Sequence, residues 1–239
     1  MKRILPFILI LAVLGIALVS AWYFTRTMPA STTVAGSPSQ AAKATSSQPA
    51  QTQPVATNGA PGAEPPHILG PANAPARLEE FGDFECPPCG LFHPILVEMH
   101  KEFGDKLQIT FREFPLVPTH QHALAAASAA EAAGMQDKFW EMHDLLYERQ
   151  NDWKKQFDVR PVFEGYAKEI GLDVERYKRD SIGDYVGRRI TADGARGHSL
   201  GVTGTPTVFL NGHEVPFQSL QEDQLRVIIQ REIDNAGKR

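Results

Sequence analysis

Cys86 and Cys89 are the only cysteines of this 239-residue chain, and Pro87 and Pro88 separate them. Two thiols at this spacing can close to a disulfide and reopen, which stores and releases two electrons. The pair cannot staple a fold, because the loop it closes is too short to constrain the unfolded chain much. It also falls short of an all-cysteine zinc site, which takes more thiolates than the chain owns. A thiolate at a helix N-terminus is stabilised by the dipole and by free backbone N–H groups. Cys86, first of the pair, is expected to be the more exposed and to have a lowered pKa, and Cys89, a turn inside, to be the more buried. Pro87 suits a first helical position, although two prolines leave fewer N–H donors for the sulfur. A Cys-x-x-Cys pair can also be part of a metal site, and His93, or His120 with His122, would then complete it. This gives the alternative function, a copper- or zinc-handling binding module.

The cysteines need an element on each side, and the pattern supplies both. Residues 76–84 read as a strand running into a loop. A helix follows to Phe103, with Phe92, Leu96, Met99 and Phe103 at helical spacing, and Gly104 stops it. Residues 106–114 alternate, Leu107, Ile109 and Phe111 against Gln108, Thr110 and Arg112, as in a half-buried strand. Strand, helix and strand together predict a parallel unit. Residues 120–200 read as helical, interrupted at Gly134, Gly171 and Gly183. The small residues of 123–133 suggest close helix packing, and Phe139, Met142 and Leu146 with Trp140 and Tyr147 form an apolar stripe assigned to the core. Residues 205–210 read as a strand, Asn211-Gly212 as a hairpin turn, and 214–217 as the returning strand. Ser219-Leu220-Gln221-Glu222 fits a capping box for a last helix, with Leu225, Ile228 and Ile229 inward. The pattern predicts an α/β domain with a helical insertion.

Three separated motifs, in order, extend the argument. Leu78-Glu79-Glu80-Phe81-Gly82-Asp83-Phe84-Glu85-Cys86-Pro87-Pro88-Cys89 resembles the active-site strand and turn of the DsbA-like branch of the thioredoxin superfamily. Phe111-Arg112-Glu113-Phe114-Pro115-Leu116 and Phe139-Trp140-Glu141-Met142-His143-Asp144 are similar to later segments of that branch. Gly201-Val202-Thr203-Gly204-Thr205-Pro206-Thr207-Val208-Phe209 resembles its cis-proline loop. The resemblance covers residues 67–239 and implies a thioredoxin fold with an inserted α-helical domain at about 118–200. It implies a thiol–disulfide oxidoreductase in which Cys86 exchanges with substrate and Cys89 resolves the mixed disulfide. It implies that Glu80, six positions before Cys86, is the buried acid that exchanges a proton with Cys89. Thr205 and Pro206, across a cis bond, would dock the substrate backbone beside Pro87 and Pro88. One departure stands out: Pro88 occupies the place where well-known members carry a histidine that helps to stabilise the thiolate, which leaves strongly oxidising behaviour in question. No organic cofactor is expected, since the Cys86–Cys89 disulfide is itself the redox centre.

The remainder of the chain concerns location. Residues 4–24 are apolar apart from Ser20, and Lys2 and Arg3 precede them. Their length suits a helix crossing ~30 Å of hydrocarbon, and Trp22 and Tyr23 lie where interfacial aromatics belong. Residues 1–28 are therefore read as a membrane anchor, with a cleaved signal segment ending near Ala21 as the alternative. Either places the rest outside the cytoplasm, in the periplasm or its equivalent. Residues 29–66, rich in Ala, Ser, Thr, Pro and Gln, lack Leu, Ile and aromatics and read as a disordered tether. Residues 67–239 carry 20 basic and 27 acidic side chains, a net charge of −7 that argues against a nucleic-acid partner. The expected partners are cysteine-containing secreted or envelope polypeptides and a membrane redox enzyme. That enzyme would be DsbB-like or vitamin-K-epoxide-reductase-like for an oxidase, and DsbD-like for a reductase or isomerase. A monomer is expected.

Overall fold

Residues 59–238 are described in this computed structural model. The expected anchor at 1–28 and most of the expected tether lie outside them; among the described residues no helix is long and apolar enough to cross a membrane. The centre is a five-stranded sheet in the order β1-β3-β2-β4-β5. Its strands are β1 (His67–Leu69), β2 (Ala76–Gly82), β3 (Leu107–Glu113), β4 (Thr207–Leu210) and β5 (His213–Val215). β2 and β3 are parallel, from Ala76 opposite Leu107 to Gly82 opposite Glu113, and α1 (Pro87–Phe103) makes the crossover. β1 and β4 join the outer sides of this pair antiparallel. Asn211 and Gly212, at φ 50° and 80°, turn β4 into β5, the left-handed pair that a two-residue hairpin demands.

Strand alternation divides the sheet's two faces. Ala76, Leu78, Leu107, Ile109, Val208 and Leu210 pack under Phe92, Leu96 and Met99 of α1 and under Leu225 and Ile229 of α8 (Glu222–Ala236). Between β3 and β4 stand α2 (Ala123–Gly134), α3 (Phe139–Glu148), α4 (Gln150–Trp153), α5 (Arg160–Glu169), α6 (Val174–Ser181) and α7 (Asp184–Ser199). Buried alanines of α2 let its neighbours approach, and Met142, Leu146, Trp153 and Phe163 fill the insertion's core. Phe84, Cys86, Cys89 and Phe111 belong to this same cluster, so the cysteines lie where the insertion meets the sheet.

Three expectations need correction. Strand β3 is covered on both faces: Gln108 is 7% and Arg112 5% exposed. Gln108 Nε2 donates to the Pro71 carbonyl (3.0 Å), and Arg112 is covered because of the second correction: the last part of the expected tether is an ordered strap. Ala60 N–H donates to Ser199 Oγ (2.9 Å), and Ala63 N–H to Asp193 Oδ1 (2.7 Å). Arg112 Nη1 donates to the Ala63 carbonyl (2.8 Å), Arg189 Nη1 to Pro65 (2.9 Å) and Arg196 Nη1 to Ala60 (2.9 Å). Composition hid this because the strap is held through its backbone, by α7 and β3 side chains far away in sequence. Third, α8 has Gln221 at its N-cap without a side-chain cap, and Ser219 belongs to a 3-10 turn, Phe217–Ser219. Acidic Glu222 and Asp223 in the first turn serve the helix end instead.

The strap sets the boundary of the stable unit. A protein beginning at His67 leaves Arg112 without the Ala63 carbonyl and Asp193 without the Ala63 N–H, and hydrogen bonds to buried charged groups contribute about 1.5–3 kcal/mol each. Urea unfolding should show it about 2–4 kcal/mol less stable than one beginning at Gly59; equal midpoints would contradict the strap's role.

Candidate active site

Both cysteines are free thiols at the turn from β2 into α1. Cys86 is the N-cap, in extended backbone at φ −68° and ψ 120°, and the prolines take the first helical positions. They cannot donate, so the amide of Cys89 is the first available to the Cys86 sulfur. The turn is held from several sides. Cys86 N–H donates to the Asp83 carbonyl (3.0 Å), and Gly90 N–H to the Cys86 carbonyl (3.1 Å). Asp83 Oδ1 accepts from Glu85 N–H (2.8 Å) and Oδ2 from Leu116 N–H (2.8 Å), with His120 Nδ1 at 2.7 Å. Gln150 Nε2 reaches across from α4 and donates to the carbonyls of Phe84 (2.8 Å) and Cys86 (2.9 Å). A Cβ at Gly90 would stand 2.9 Å from Gln150 Oε1, so a side chain there would displace the Gln150 amide.

Opposite the turn, the Thr205–Pro206 peptide bond is cis, and the Cys86 thiol donates to the Thr205 carbonyl at 3.3 Å. Thr205 Oγ1 is buried with no hydrogen-bond partner, so its proton is free to turn toward the sulfur when Cys86 ionises. The Cys86 pKa is lowered to about 6, chiefly by the hydrogen bond from the Cys89 thiol; burial opposes this, and Thr205 and the Cys89 amide add to it. Burial pushes the Cys89 thiol well above its usual range, and its hydrogen bond to Cys86 and the charge of Glu80 push it further. Glu80 is 2% exposed on the face that meets the cysteines, and burial, followed by the charge of Cys86, raises its pKa to about 8. Near neutral pH the site therefore carries its negative charge on Cys86, above a protonated thiol and a protonated acid.

The structure brings Cys86, Cys89, Glu80, Thr205 and Pro87 with Pro88 to one end of the sheet. Glu79 points to the opposite face, where Arg112 and Arg196 hold its carboxylate at 2.8 and 2.7 Å. Sequence reading passed over Asp83 and Gln150. Asp83 sits within the quoted motif but reads there as one more loop acid; Gln150 has no local signal at all. The histidines proposed to join the cysteines are engaged elsewhere. His120 lies against Asp83, His122 Nε2 against the Gln156 carbonyl (2.9 Å), and His93 Nε2 against Asp144 Oδ1 (3.0 Å). Among the described residues, the grouping of potential metal ligands that includes His93 is completed by His143 and Asp144, not by the cysteines.

A sheet with this crossover and a dithiol at a helix start is the architecture of thioredoxin-like proteins, here with a helical insertion. A family model described as Thioredoxin matches residues 63–231, and the chain belongs to that family. Among solved structures, BdbD from Bacillus subtilis (oxidised) superposes with a TM-score of 0.63 at 24% identity, covering 74% of this chain and 98% of that one. The alpha-DsbA1 of Wolbachia pipientis gives a TM-score of 0.62 at 18% identity, covering 72% of this chain and 93% of that one. The chain is thus a member of the thioredoxin family that shares its fold with these two proteins. A relative from Salinispora arenicola (strain CNS-205), Na(+)/H(+) antiporter NhaA 1, is 42% identical over 148 residues, 61% of this chain and 22% of that protein. The chain spans only about a quarter or less of the length of the curated relatives it matches.

Two measurements check the electrostatics. Thiolate absorbance of the reduced protein should titrate near pH 6 for Cys86, and Thr205→Val should move that midpoint upward by several tenths of a unit; an unmoved midpoint would deny the hydroxyl its part. Glu80 has a folded pKa above its unfolded value. Its contribution to stability is complete below about pH 4.5 and is lost as pH rises toward about 8. Glu80→Gln removes that loss and should stabilise the protein by roughly 1–3 kcal/mol at pH 7, with little difference at pH 4.

Proposed function

We propose that this protein is an extracytoplasmic thiol–disulfide oxidoreductase that acts on cysteines of secreted or envelope polypeptides. The observation that carries the reading is the placement of Cys86 at a helix N-cap against the Thr205 carbonyl, with Cys89 buried behind it. In the disulfide form, a substrate thiolate attacks Cys86 Sγ and the Cys86–Cys89 bond breaks. Cys89 leaves as a thiolate and takes a proton from Glu80. A second substrate thiolate then attacks the substrate sulfur joined to Cys86; the substrate disulfide forms and Cys86 departs as a thiolate. Two electrons pass from the substrate dithiol to the protein's disulfide. In the opposite direction Glu80 accepts the Cys89 proton as Cys89 resolves the mixed disulfide. The backbone at Thr205, with Pro206, Pro87 and Pro88 around the sulfur, receives the substrate chain.

The lowered pKa of Cys86 favours the donor direction. A free thiol titrates near 8.5, so bringing Cys86 to about 6 stabilises the dithiol form and leaves the disulfide readier to be handed on. A disulfide donor needs reoxidation, and a DsbB-like or vitamin-K-epoxide-reductase-like membrane quinone enzyme suits that chemistry; a DsbD-like electron source belongs to the reverse direction. The apolar residues 4–24 would hold the domain, as a monomer, at the membrane on its outer side.

The test is oxidation of a reduced, unfolded protein substrate by the disulfide form. With its single thiol first activated as a mixed disulfide with glutathione, Cys89→Ser should accumulate mixed disulfides with the substrate, Cys86→Ser treated alike should form none, and Glu80→Gln should slow turnover about 10- to 100-fold with the largest effect near neutral pH. Equal trapping by both serine variants would contradict the assigned order of attack.

A further inference from the structure

We propose that His93, His143 and Asp144 form a binding site for a zinc-type divalent cation, on the side of α1 that faces α3. The site is separate from the dithiol, and the proposal does not depend on the redox reading. His93 stands one turn beyond Cys89 on α1, and His143 and Asp144 are consecutive on α3. One ligand atom from each lies within 4.8 Å of the others. Asp144 Oδ1 is 3.0 Å from His93 Nε2 and 2.9 Å from His143 Nδ1. Tetrahedral zinc with bonds of about 2.0–2.1 Å sets its ligand atoms about 3.3 Å apart, so the two Asp144 contacts need lengthen by only a few tenths of an ångström to admit the ion.

An unsatisfied atom points the same way. If both imidazoles donate N–H to Asp144, His143 Nε2 is a bare acceptor, and it is buried without any partner. Stranding such a group costs about 1–3 kcal/mol. Phe84, Phe111 and Tyr147 surround the ring edge-to-face, at interplanar angles of 80°, 81° and 84°. Aromatic faces accept an N–H but offer nothing to a lone pair. The other tautomer puts the hydrogen on Nε2, among those rings, and frees the Nδ1 lone pair. That lone pair would then oppose Asp144 Oδ1 at 2.9 Å unless a cation lies between them. A metal on Nδ1 thus resolves the buried acceptor and the Asp144 contact together.

The donor set defines the class of ion. Two imidazoles and one carboxylate, with no thiolate, suit zinc and similar divalent metals in preference to calcium or copper(I). The imidazoles are almost wholly buried, whereas the Asp144 side chain is 46% exposed, which provides entry and room for a water as a further ligand. Ligands on two packed helices make the ion a clamp between the redox helix and the insertion.

The test uses untagged, chelator-treated full-length protein carrying Cys86→Ser and Cys89→Ser, so that thiols contribute nothing. Zinc is titrated against a chromophoric chelator, and thermal unfolding is followed with and without zinc. The expected result is one zinc per chain and an upward shift of Tm. Adding Asp144→Asn or His93→Gln should weaken binding at least tenfold and abolish the shift, with unchanged far-ultraviolet circular dichroism. Asp144 is at the surface, so its variant separates ligand loss from misfolding. The proposal is overturned if the double-serine protein takes up no zinc, or if Asp144→Asn binds zinc as well as its parent.

Discussion

A single negative charge has one tolerable place at the end of this sheet. Cys89 and Glu80 lie in apolar surroundings that penalise their charged forms, and the charge of Glu80 would raise the Cys89 thiol further. Cys86 alone faces donors: the Cys89 thiol, the Cys89 amide at the start of α1, and the Thr205 hydroxyl. The arrangement around it follows from keeping the charge there. Asp83 and Gln150 fix the turn through its backbone, so that the sulfur meets both the helix end and the Thr205 hydroxyl. The prolines withhold the first two amides of the helix, which leaves Cys89 as the main stabiliser of a charged Cys86. The tuning of Cys86 is therefore internal to the pair.

The insertion and the strap supply the rigidity that this requires. On the sheet face away from α1, Glu79 is shared by Arg112 and Arg196, and Asp193 by Arg112 and the strap's backbone. Buried ion pairs add little net stability over apolar packing, but removing one partner is costly. These pairs connect α7, β3 and residues 59–66 into one unit, and α7 leads directly into the loop that carries Thr205. Glu113 shows the cost of so many acids in one place: both its carboxyl oxygens lack partners, and burial with the charge of Glu131 and Asp193 raises its pKa well above the usual range.

Much of this was legible because it is local. The cysteine spacing, the strand before it and the helix after it occupy one stretch of chain, and the register of β2 follows from alternation, which sends Glu80 and Glu79 to opposite faces. The positive-φ turn at Asn211-Gly212 was equally plain. What escaped depends on partners distant in sequence. Residues 59–66 look like tether by composition, since nothing within them announces that Arg112, Arg189, Asp193 and Arg196 will hold their backbone. Strand β3 looks half-buried for the same reason. His93 and His143 have no motif spacing because they come from different helices, and Gln150 is an ordinary glutamine until the fold carries it to the Cys86 carbonyl.

The most direct test of the account is the redox equilibrium of the Cys86–Cys89 pair with glutathione, followed from pH 5 to pH 8 on a protein beginning at Gly59. A stabilised thiolate predicts a reduction potential well above the ~−270 mV of thioredoxin, towards the ~−120 mV of strong donors. It also predicts a change in pH dependence near pH 6, where Cys86 loses its charge. A thioredoxin-like potential without that change would contradict the claim that the charge on Cys86 governs the site.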